Sequence, residues 1–315
     1  MTAQGGSTAE PEVTVVITTR NRPTMVGEAV DSALAQTVGA VEVVVVDDAS
    51  TRPVRLTRAN DRLRIVRNAR SGGVCAARNR GLAAARGRWI TFLDDDDRLL
   101  PDMLERSLEA ARASTLPPPV AALSAIEEVD EAGRTIRILL PGTLPRSRVG
   151  VPAMNPLGAP AAHATLVVPT DVARAIGGWD ETLRVWEHTD LFLRLQAACS
   201  VQGVERVTYR RRVHKSRLSE NLPARVDSMR RTLDKHEAAF ARHPSCRARY
   251  LGAMGIAWLR MGHWDLAMVA TTRSLWLAPF RPRGIAQWLA SLGGPRIWDL
   301  LDPARARFRP HRDGS

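Results

Sequence analysis

Few cysteines, few lysines and no long apolar run limit what this chain of 315 residues can be. Its three cysteines, Cys75, Cys199 and Cys246, lie far apart and match neither a disulfide framework nor a metal-binding spacing. No stretch of about 18 apolar residues is present, as a membrane-spanning helix would require. The first residues, MTAQGGSTAEPE, lack the basic and then apolar layout of a signal peptide. We therefore expect a protein of the reducing cytoplasm.

Positive charge is abundant but unevenly distributed. Of the 45 basic residues only Lys215 and Lys235 are lysines, and the formal net charge is +12. Residues 1–200 hold 23 Arg and 24 acids, a balance of −1, whereas residues 201–315 hold 22 basic residues and 9 acids, a balance of +13. A basic segment of this kind usually faces a polyanion or an anionic membrane.

The first hundred residues alternate between short β-branched runs and amphipathic segments. Four runs are expected to be strands: Val13–Thr18, Val41–Val46, Leu63–Val66 and Trp89–Leu93. Helices are expected between them and after Pro101. This alternation predicts a parallel sheet with helices on its faces.

The pattern changes beyond the proline-rich break at Leu116–Pro119. Val120–Val129 and Thr135–Leu140 flank the turn-forming residues EAGR and predict a hairpin. A further strand is expected at Ala164–Val168, and from about Leu222 the chain is expected to be helical. The fold class is therefore α/β, followed by an all-helical extension.

Each of three predicted strands ends in a polar cluster. The clusters are Thr18–Arg22, Asp47–Ser50 and Asp94–Asp97. The carboxyl ends of parallel strands share one edge of the sheet, where ligands bind. One such cluster is often a helix cap, but three together predict a binding edge.

The four consecutive aspartates, Asp94–Asp97, need a cation because neighbouring carboxylates raise one another's pKa. If the strand conformation continues, Asp94 and Asp96 point to one face of the sheet and Asp95 to the other. Mg²⁺ and Mn²⁺ take oxygen ligands, often one or two carboxylates together with substrate phosphates. The spacing therefore predicts a metal site of the form D-x-D, and Asp97 is expected to cap the following helix.

Four stretches resemble, in order and spacing, the family 2 glycosyltransferases of the GT-A fold. They are VTVVITTRNRP, VEVVVVDDAST, NARSGGVCAARNRGLAAARGRWITFLDDDDRLLPDML and GGWDETLRVWEHTDLFLRL. The resemblance implies a GT-A-like, mostly parallel sheet with helices on both faces. It implies a flexible terminus (1–12), a glycosyltransferase domain (13–220) and a basic helical extension (221–315). Within the domain, 13–115 would be the nucleotide-sugar half and 116–220 the acceptor half.

Family 2 enzymes move a sugar, with inversion, from a nucleotide-diphosphate sugar to an acceptor hydroxyl. By resemblance, Thr18, Arg20 and Asp48 hold the nucleobase, and Arg78 meets the pyrophosphate. A carboxylate accepts the imide N–H of uracil or thymine, which favours a UDP or dTDP donor.

The same resemblance places the aspartates of the D-x-D site around the donor. Asp94 and Asp95 correspond to positions near the ribose and the metal, and Asp96 corresponds to the metal ligand. Together with Asp94 it would bind Mn²⁺ or Mg²⁺, which neutralises the charge of the leaving diphosphate.

The general base is where the chain departs from the family pattern. Members usually have Glu-Asp, any residue and Asp-Leu, with the first Asp as base, but here the stretch reads EHTDL and places His188 there. Histidine serves as a base at neutral pH. Alternatively Asp190 or Glu187, which share a helix face, has taken the role. A third reading is a catalytically altered nucleotide-sugar-binding module.

Two further histidines are candidates by resemblance. His214, in YRRRVHKS, is a candidate metal or phosphate ligand, and His163 lies where acceptor-side residues occur. A sugar nucleotidyltransferase, a rival enzyme class, would have a glycine-rich loop after the first strand, and TTRNRP contains no glycine.

The basic extension is rich in tryptophan. Residues 222–315 hold five of the eight tryptophans: Trp258, Trp264, Trp276, Trp288 and Trp298. One reading is an interfacial helix on the inner face of a membrane, close to a lipid-linked or other glycan acceptor. The other is a helical pair whose tryptophans form a core. No nucleic-acid-binding motif is present, and no nucleic-acid partner is expected.

Overall fold

The computed structural model describes residues 10–56, 60–146, 163–213 and 221–293. They fall into two compact units, the first reaching residue 213 and the second spanning 221–293. The first unit joins helices to one nine-stranded sheet, and the second is helical throughout its described residues. The predicted fold class, α/β followed by a helical extension, is confirmed.

The strands belong to the first unit. They are β1 (Val13–Thr19), β2 (Val41–Asp47), β3 (Leu63–Arg67), β4 (Trp89–Asp94), β5 (Arg98–Leu99), β6 (Val120–Val129), β7 (Thr135–Leu139), β8 (Val167–Pro169) and β9 (Ser200–Arg212). Its helices are α1 (Met25–Leu34), α2 (Gly73–Ala84), α3 (Met103–Ala113), α4 (Thr170–Ala175) and α5 (Glu187–Ala198).

The sheet is parallel in its first half and mixed in its second. Its strands follow the order β3-β2-β1-β4-β8-β6-β9-β5, and β7 pairs with β6. The strands β3, β2, β1 and β4 are mutually parallel, as the sequence predicts. β8 is antiparallel to β4 and β6, while β9 runs parallel to β6. β6 and β7 form the predicted hairpin.

The continuous apolar run of β1 reflects helices on both faces of the sheet. Val15 and Ile17 belong to a core cluster that also contains Ala29 of α1. Val16, which points the other way, faces Gly81 of α2, where a Cβ would lie only 2.2 Å from Val16 Cγ1. A strand that is buried on both faces shows no polar alternation.

One predicted strand is shorter than expected. Instead of Ala164–Val168, a 3₁₀ turn covers His163–Thr165 and β8 begins at Val167. Thr165 Oγ1 accepts the backbone N–H of Ser124 at 2.9 Å and donates to the Ser124 carbonyl at 2.8 Å. A side chain thus makes the hydrogen bonds to β6 that a strand backbone would otherwise make.

The second unit is a set of five helices in its described residues. They are α6 (Leu222–Lys235), α7 (Glu237–Arg242), α8 (Pro244–Met261), α9 (Trp264–Leu277) and α10 (Pro282–Leu292). The apolar stretch 251–270 is broken at Gly262, whose φ of +85° ends α8. Trp258 and Trp264 then pack against a small core of Leu259, Ala267 and Ala290. Across the described residues, every helix is too short or too polar to cross a bilayer.

Candidate active site

The strands β1, β2 and β4 end side by side at one edge of the sheet. Thr19 pairs with Asp47 in parallel register, and Thr18 pairs with Asp94. The three polar clusters therefore meet, and the prediction of a common edge is confirmed. Thr18 is buried within β1, and Arg20, just beyond the strand, is exposed.

The predicted alternation of the aspartates is wrong. β4 ends at Asp94, and Asp95 and Asp96 form a turn, so the two-residue period of a strand stops there. Arg22 Nη1 lies 3.0 Å from Asp95 Oδ1 and 2.9 Å from Asp96 Oδ2. Asp94 Oδ1 instead accepts from Arg78 Nη2 at 2.9 Å. Asp95 and Asp96 thus share one arginine, while Asp94 is bound by another.

Asp95 is the buried partner in this pair. Its Oδ2 accepts the Thr19 hydroxyl at 2.6 Å, which ties the aspartate turn to the end of β1. Burial and the charge of Asp96 raise the pKa of the Asp95 carboxyl, although the hydrogen bonds from Thr19 and Arg22 oppose that change. Asp95 therefore fixes the turn rather than offering free oxygens to a ligand.

Asp97 is not a helix cap, contrary to the prediction. Its carboxylate is buried and accepts the Tyr209 hydroxyl at 2.8 Å and the Arg212 backbone N–H at 3.0 Å, both from β9. The residue that precedes α3 is Asp102. Burial, with the charges of Asp94 and Asp96, raises the pKa of Asp97 to about 8. Asp97 thus joins the aspartate turn to β9, which explains why it points inward.

Asp48, at the end of β2, anchors the start of α2. Its two oxygens accept four hydrogen bonds, from the side chains of Asn68 and Ser71 and the backbone N–H groups of Gly72 and Gly73. Burial opposes ionisation, but these donors outweigh it and lower the pKa of Asp48. This candidate for the nucleobase is therefore also a structural link between β2 and α2.

Arg78 of α2 connects the aspartate cluster to the start of α5. Its buried guanidinium donates to Asp94 and, through Nη1, to Glu187 Oε1 at 2.9 Å. It also lies over the Trp179 ring, 4.5 Å from the ring centroid. Burial lowers the pKa of this guanidinium, but the charges of Asp94 and Glu187 more than compensate and raise it.

His188 lies in the first turn of α5 and faces a narrow cleft. Its ring meets the Trp179 ring edge to face at 4.9 Å, and its Nε2 lies 3.5 Å from Glu187 Oε1. The cleft is lined by the polar residues Arg78, Asp94, His188 and Tyr209 and by the apolar residues Phe92, Ala164, Leu166 and Trp179. His188 and Asp94 therefore open onto the same space.

Asp190 is differently placed. Its side chain is completely buried and accepts both Nε and Nη2 of Arg194, at 2.9 and 2.5 Å. Arg194 also donates to the Ile176 carbonyl, which joins α5 to the end of α4. Asp190 does not line the cleft that His188 faces. Its contacts are those of a structural ion pair.

A second, wider cleft of about 450 Å³ lies on the other side of Asp96. Its lining comes from β4–β5, the β6–β7 turn and β9: Asp96, Arg98, Val129, Asp130, Glu131, Ala132, Gly133, Arg210 and Arg212. Three acidic and three basic residues are among them, and the cleft is large enough for a sugar residue.

Comparison with known families identifies a likeness that covers the same edge of the sheet. Residues 14–118 match the family model "Glycosyl transferase family 2". The matched residues make up a third of the chain, and we call them the family 2-like region. That match includes the ends of β1, β2 and β4 and the whole aspartate cluster.

Two curated relatives of the family 2-like region are named for polysaccharide biosynthesis. The succinoglycan biosynthesis protein ExoO of Rhizobium meliloti is 40% identical over 139 residues, which are 43% of this chain and 39% of ExoO. The putative teichuronic acid biosynthesis glycosyltransferase TuaG of Bacillus subtilis is 33% identical over 105 residues, 32% of this chain and 42% of TuaG. The chain thus matches less than half the length of either relative.

Solved structures extend the likeness of fold beyond the family 2-like region. S. aureus TarS 1-349 gives a TM-score of 0.60 at 15% identity and covers 91% of this chain and 92% of that one. The same protein in complex with UDP-GlcNAc gives a TM-score of 0.56 at 16% identity, with the same coverage. At this identity the likeness shows the fold.

Two carboxylates of the aspartate cluster are of the kind that a hard divalent cation binds. Solvent reaches 43% of the Asp94 side chain and 20% of Asp96, but only 6% of Asp95. The exposed carboxylate oxygens of Asp94 and Asp96 are of the kind that Mn²⁺ and Mg²⁺ prefer. Among the described residues, no group of three or more His, Cys, Asp or Glu side chains is arranged to hold a metal ion. Metal binding stays a prediction.

Two histidine candidates cannot be placed. His214 lies outside the described residues, and for His163 only the backbone, in the 3₁₀ turn, is described.

Two residues of the site were given no role from the sequence. Arg22 balances Asp95 and Asp96, and Tyr209 binds Asp97. Trp179, which contacts both Arg78 and His188, belongs to the GGWD stretch that carries the family resemblance. A cationic partner for the aspartates was foreseeable, but TTRNRP offers two arginines and no pattern selects one. Tyr209 is 112 positions from Asp97, a separation that no local pattern bridges.

Proposed function

We propose that the protein transfers a sugar from a nucleotide-diphosphate sugar to an acceptor hydroxyl, with inversion at the anomeric carbon. The observation that carries this proposal is the cleft that His188 shares with Arg78 and Asp94, beside the aspartate cluster of the family 2-like region. Transfer needs a group that takes the acceptor's proton and positive charge near the leaving diphosphate. Both kinds of group are present at this edge of the sheet.

The donor is a UDP or dTDP sugar in this proposal. Its nucleobase lies by Thr18, Arg20 and Asp48, and its ribose lies by Asp94, beside the turn that Asp95 fixes. The imide N–H that both bases offer would replace one of the four donors that the Asp48 carboxylate holds in the absence of a donor sugar. The likeness of fold to TarS in its complex with UDP-GlcNAc supports a nucleotide sugar of this class.

Asp96 and Asp94 are the residues that would hold Mn²⁺ or Mg²⁺. The cation would supply positive charge to the departing diphosphate. Arg78 contributes a fixed positive charge from α2, and its pairs with Asp94 and Glu187 keep it oriented.

His188 is the general base of the proposed reaction. An imidazole titrates near neutral pH, and Glu187 Oε1, 3.5 Å from Nε2, stabilises the imidazolium that forms when the proton arrives. Trp179 fixes the plane of the ring. Asp190 is less suited because it is buried and paired with Arg194.

The acceptor is a glycan, either free or lipid-linked. The names of ExoO and TuaG, which refer to succinoglycan and teichuronic acid biosynthesis, support a polysaccharide acceptor. The reacting hydroxyl would lie in the cleft that His188 faces, and the wider cleft beside Asp96 would hold other sugar residues of the same acceptor. A lipid-linked acceptor would require peripheral contact with the inner face of a membrane, and the basic second unit suits that contact.

A donor and acceptor panel tests the proposal. UDP, dTDP and GDP sugars are incubated with glycan and lipid-linked acceptors, and release of the nucleoside diphosphate is measured. We expect His188→Ala to lower the rate by about 10² to 10⁴-fold while leaving nucleotide binding intact. Asp190→Ala should mainly lower stability. Full activity in His188→Ala would contradict the assignment of the base.

A second candidate function is a nucleotide-sugar-binding module without transfer activity. The observation in its favour is His188 itself, which stands where family members usually have aspartate. Nucleotide binding without turnover for any donor and acceptor would favour this module over the enzyme.

A further inference from the structure

The helix α9 presents three large apolar side chains to solvent, at the end of its first turn and beyond it. Trp276 is 84% exposed, and Leu266 and Val269 are 42% and 52% exposed. Phe280, in the turn after α9, is 94% exposed. Positions 266, 269, 273, 276 and 280 recur every three or four residues, so they lie on one side of the helix, with Arg273 among the apolar side chains.

The inner side of α9 carries small residues instead. Ala267, Ala270, Thr271 and Ser274 are buried, and Ser274 Oγ donates to the Ala248 carbonyl of α8. This distribution is unusual, because the large apolar side chains of an amphipathic helix normally face the core. Packing within the second unit therefore does not account for Trp276 and Phe280.

The helix α10 extends the pattern. Ile285, Leu289 and Leu292 are 39%, 53% and 51% exposed, at a spacing of four and three residues. α10 is joined to α9 by a short turn and bonded to it through Trp288 Nε1 and Thr272 Oγ1, 3.1 Å apart. We call the seven exposed side chains on these elements the outer apolar surface: Leu266, Val269, Trp276, Phe280, Ile285, Leu289 and Leu292.

The charge around the outer apolar surface is almost entirely positive. Residues 244–293 contain six arginines and one acid, Asp265, which gives 6 − 1 = +5. Burial together with the charges of Arg249 and Arg283 lowers the pKa of Arg281, so these three guanidinium groups repel one another. An anionic partner would relieve that repulsion.

We propose that the outer apolar surface docks onto an anionic lipid bilayer. Trp276 and Phe280 enter the headgroup and acyl boundary, and Arg273 and Arg283 contact lipid phosphates. A second copy of the chain is a poorer occupant, since two surfaces of the same strong positive charge would face each other. This inference names the surface and the lipid class for the membrane contact in the proposed function. It rests on the proposed function only for the biological role of that contact.

Vesicle flotation of the full chain tests the docking face. The vesicles are phosphatidylcholine alone or mixed equally with phosphatidylglycerol, in low and high salt. We expect flotation with the anionic vesicles, weakened by salt. The double variant Trp276→Ser/Phe280→Ser and the variant Arg273→Glu should each lose roughly tenfold or more of the bound fraction.

Matched controls change similar surfaces in the first unit. Ile136→Ser/Ile138→Ser removes two apolar side chains that are each 53% exposed on β7. Arg88→Glu reverses one exposed charge at the start of β4, at the edge of the sheet opposite the site. Both controls should float like the unaltered chain.

The outcomes separate docking from the proposed function. Thermal stabilisation by UDP or dTDP should be equal in all these variants. If the nucleotides give no thermal stabilisation but flotation is normal, the donor site is contradicted and docking is not. Absence of flotation, or flotation that the Trp276 and Phe280 changes leave unaltered, would overturn docking. If the chain does not float and instead forms a dimer that Trp276→Ser dissociates, the surface binds a second copy of the chain, and the docking proposal is overturned as well.

Discussion

Arg22 Nη1 and Asp96 Oδ2 form an ion pair of 2.9 Å at the solvent-facing part of the aspartate cluster. The same nitrogen reaches Asp95, so this guanidinium occupies a position where a cation is needed. Asn21, which precedes it, has a φ of +57°, and its N–H donates to Ser50 Oγ. The loop after β1 is therefore held in a shape that directs Arg22 to the cluster.

Removing Arg22 should strengthen divalent-cation binding. The variant Arg22→Gln leaves the charges of Asp95 and Asp96 without this partner, so a bound cation should stabilise the fold more than in the unaltered protein. The measurement is thermal unfolding with and without MnCl₂, in the absence of nucleotide. Arg20→Gln, an exposed change two residues away, is the control. An equal response to Mn²⁺ in both variants would show that Arg22 does not compete with a metal.

Asp48 should contribute to stability even without a donor. Asp48→Asn keeps the size of the side chain but cannot accept all four hydrogen bonds, which should cost about 1–3 kcal/mol. The pKa of Asp48 is lower in the folded state than the value of about 3.9 in the unfolded chain. The contribution of Asp48 to the free energy of unfolding is therefore fully present above that unfolded-state pKa and is lost as the pH falls through the folded-state pKa.

Urea unfolding as a function of pH measures this contribution. The unaltered protein should lose more stability on acidification than Asp48→Asn does. Asp61→Asn, at an exposed turn, should keep the pH dependence of the unaltered protein. Equal acid sensitivity in Asp48→Asn and the unaltered protein would contradict the anchoring role.

Arg78 should be the most costly arginine to remove from the site. Arg78→Gln leaves Asp94 and Glu187 without the buried guanidinium, a change that typically costs about 3–5 kcal/mol. Arg86→Gln is the comparison, since its pair with Glu42 is 4.0 Å long and the Arg86 side chain is 66% exposed. That pair should contribute less than about 1 kcal/mol. Similar losses in urea unfolding would contradict the structural importance of Arg78.

Two glycines give a matched test of the packing of α2 on β1. A Cβ at Gly81 would overlap Val16, whereas a Cβ at Gly27 of α1 meets nothing within 4 Å. Gly81→Ala should lower the free energy of unfolding by roughly 1–3 kcal/mol because the interface is overpacked. Gly27→Ala should raise it by about 0.5–1 kcal/mol through helix propensity. Stabilisation by both substitutions would contradict the close packing of α2.

The strands at the centre of the first unit could be predicted from the sequence, for a physical reason. β1 and β2 are buried along their whole length, so each is a nearly unbroken apolar run that ends sharply in polar residues, and β4 ends in the same way. Their parallel alignment then fixes where the three polar ends meet. The edge of the sheet that holds the site follows from these two facts alone.

The contacts within the site could not be predicted in the same way. The four aspartates are chemically identical, and the direction of each side chain depends on where β4 ends and on which partner it meets. The partners Arg22, Arg78 and Tyr209 come from other parts of the chain. The tryptophans show the same limit. Trp258 and Trp264 pack in the second unit, as the core reading predicts, whereas Trp276 is exposed, and for it the interfacial reading stays a prediction.

The central claim is a nucleotide-sugar site at the carboxyl edge of the sheet. Stabilisation of the fold by nucleotides tests this claim most directly. Thermal unfolding is measured with UDP, dTDP and GDP, each with and without MnCl₂. A ligand at about 100 times its Kd should add roughly 2.7 kcal/mol to the stability of the unit that binds it. The account predicts stabilisation by UDP or dTDP that increases with Mn²⁺. No stabilisation by any of the three nucleotides, with or without Mn²⁺, would contradict it.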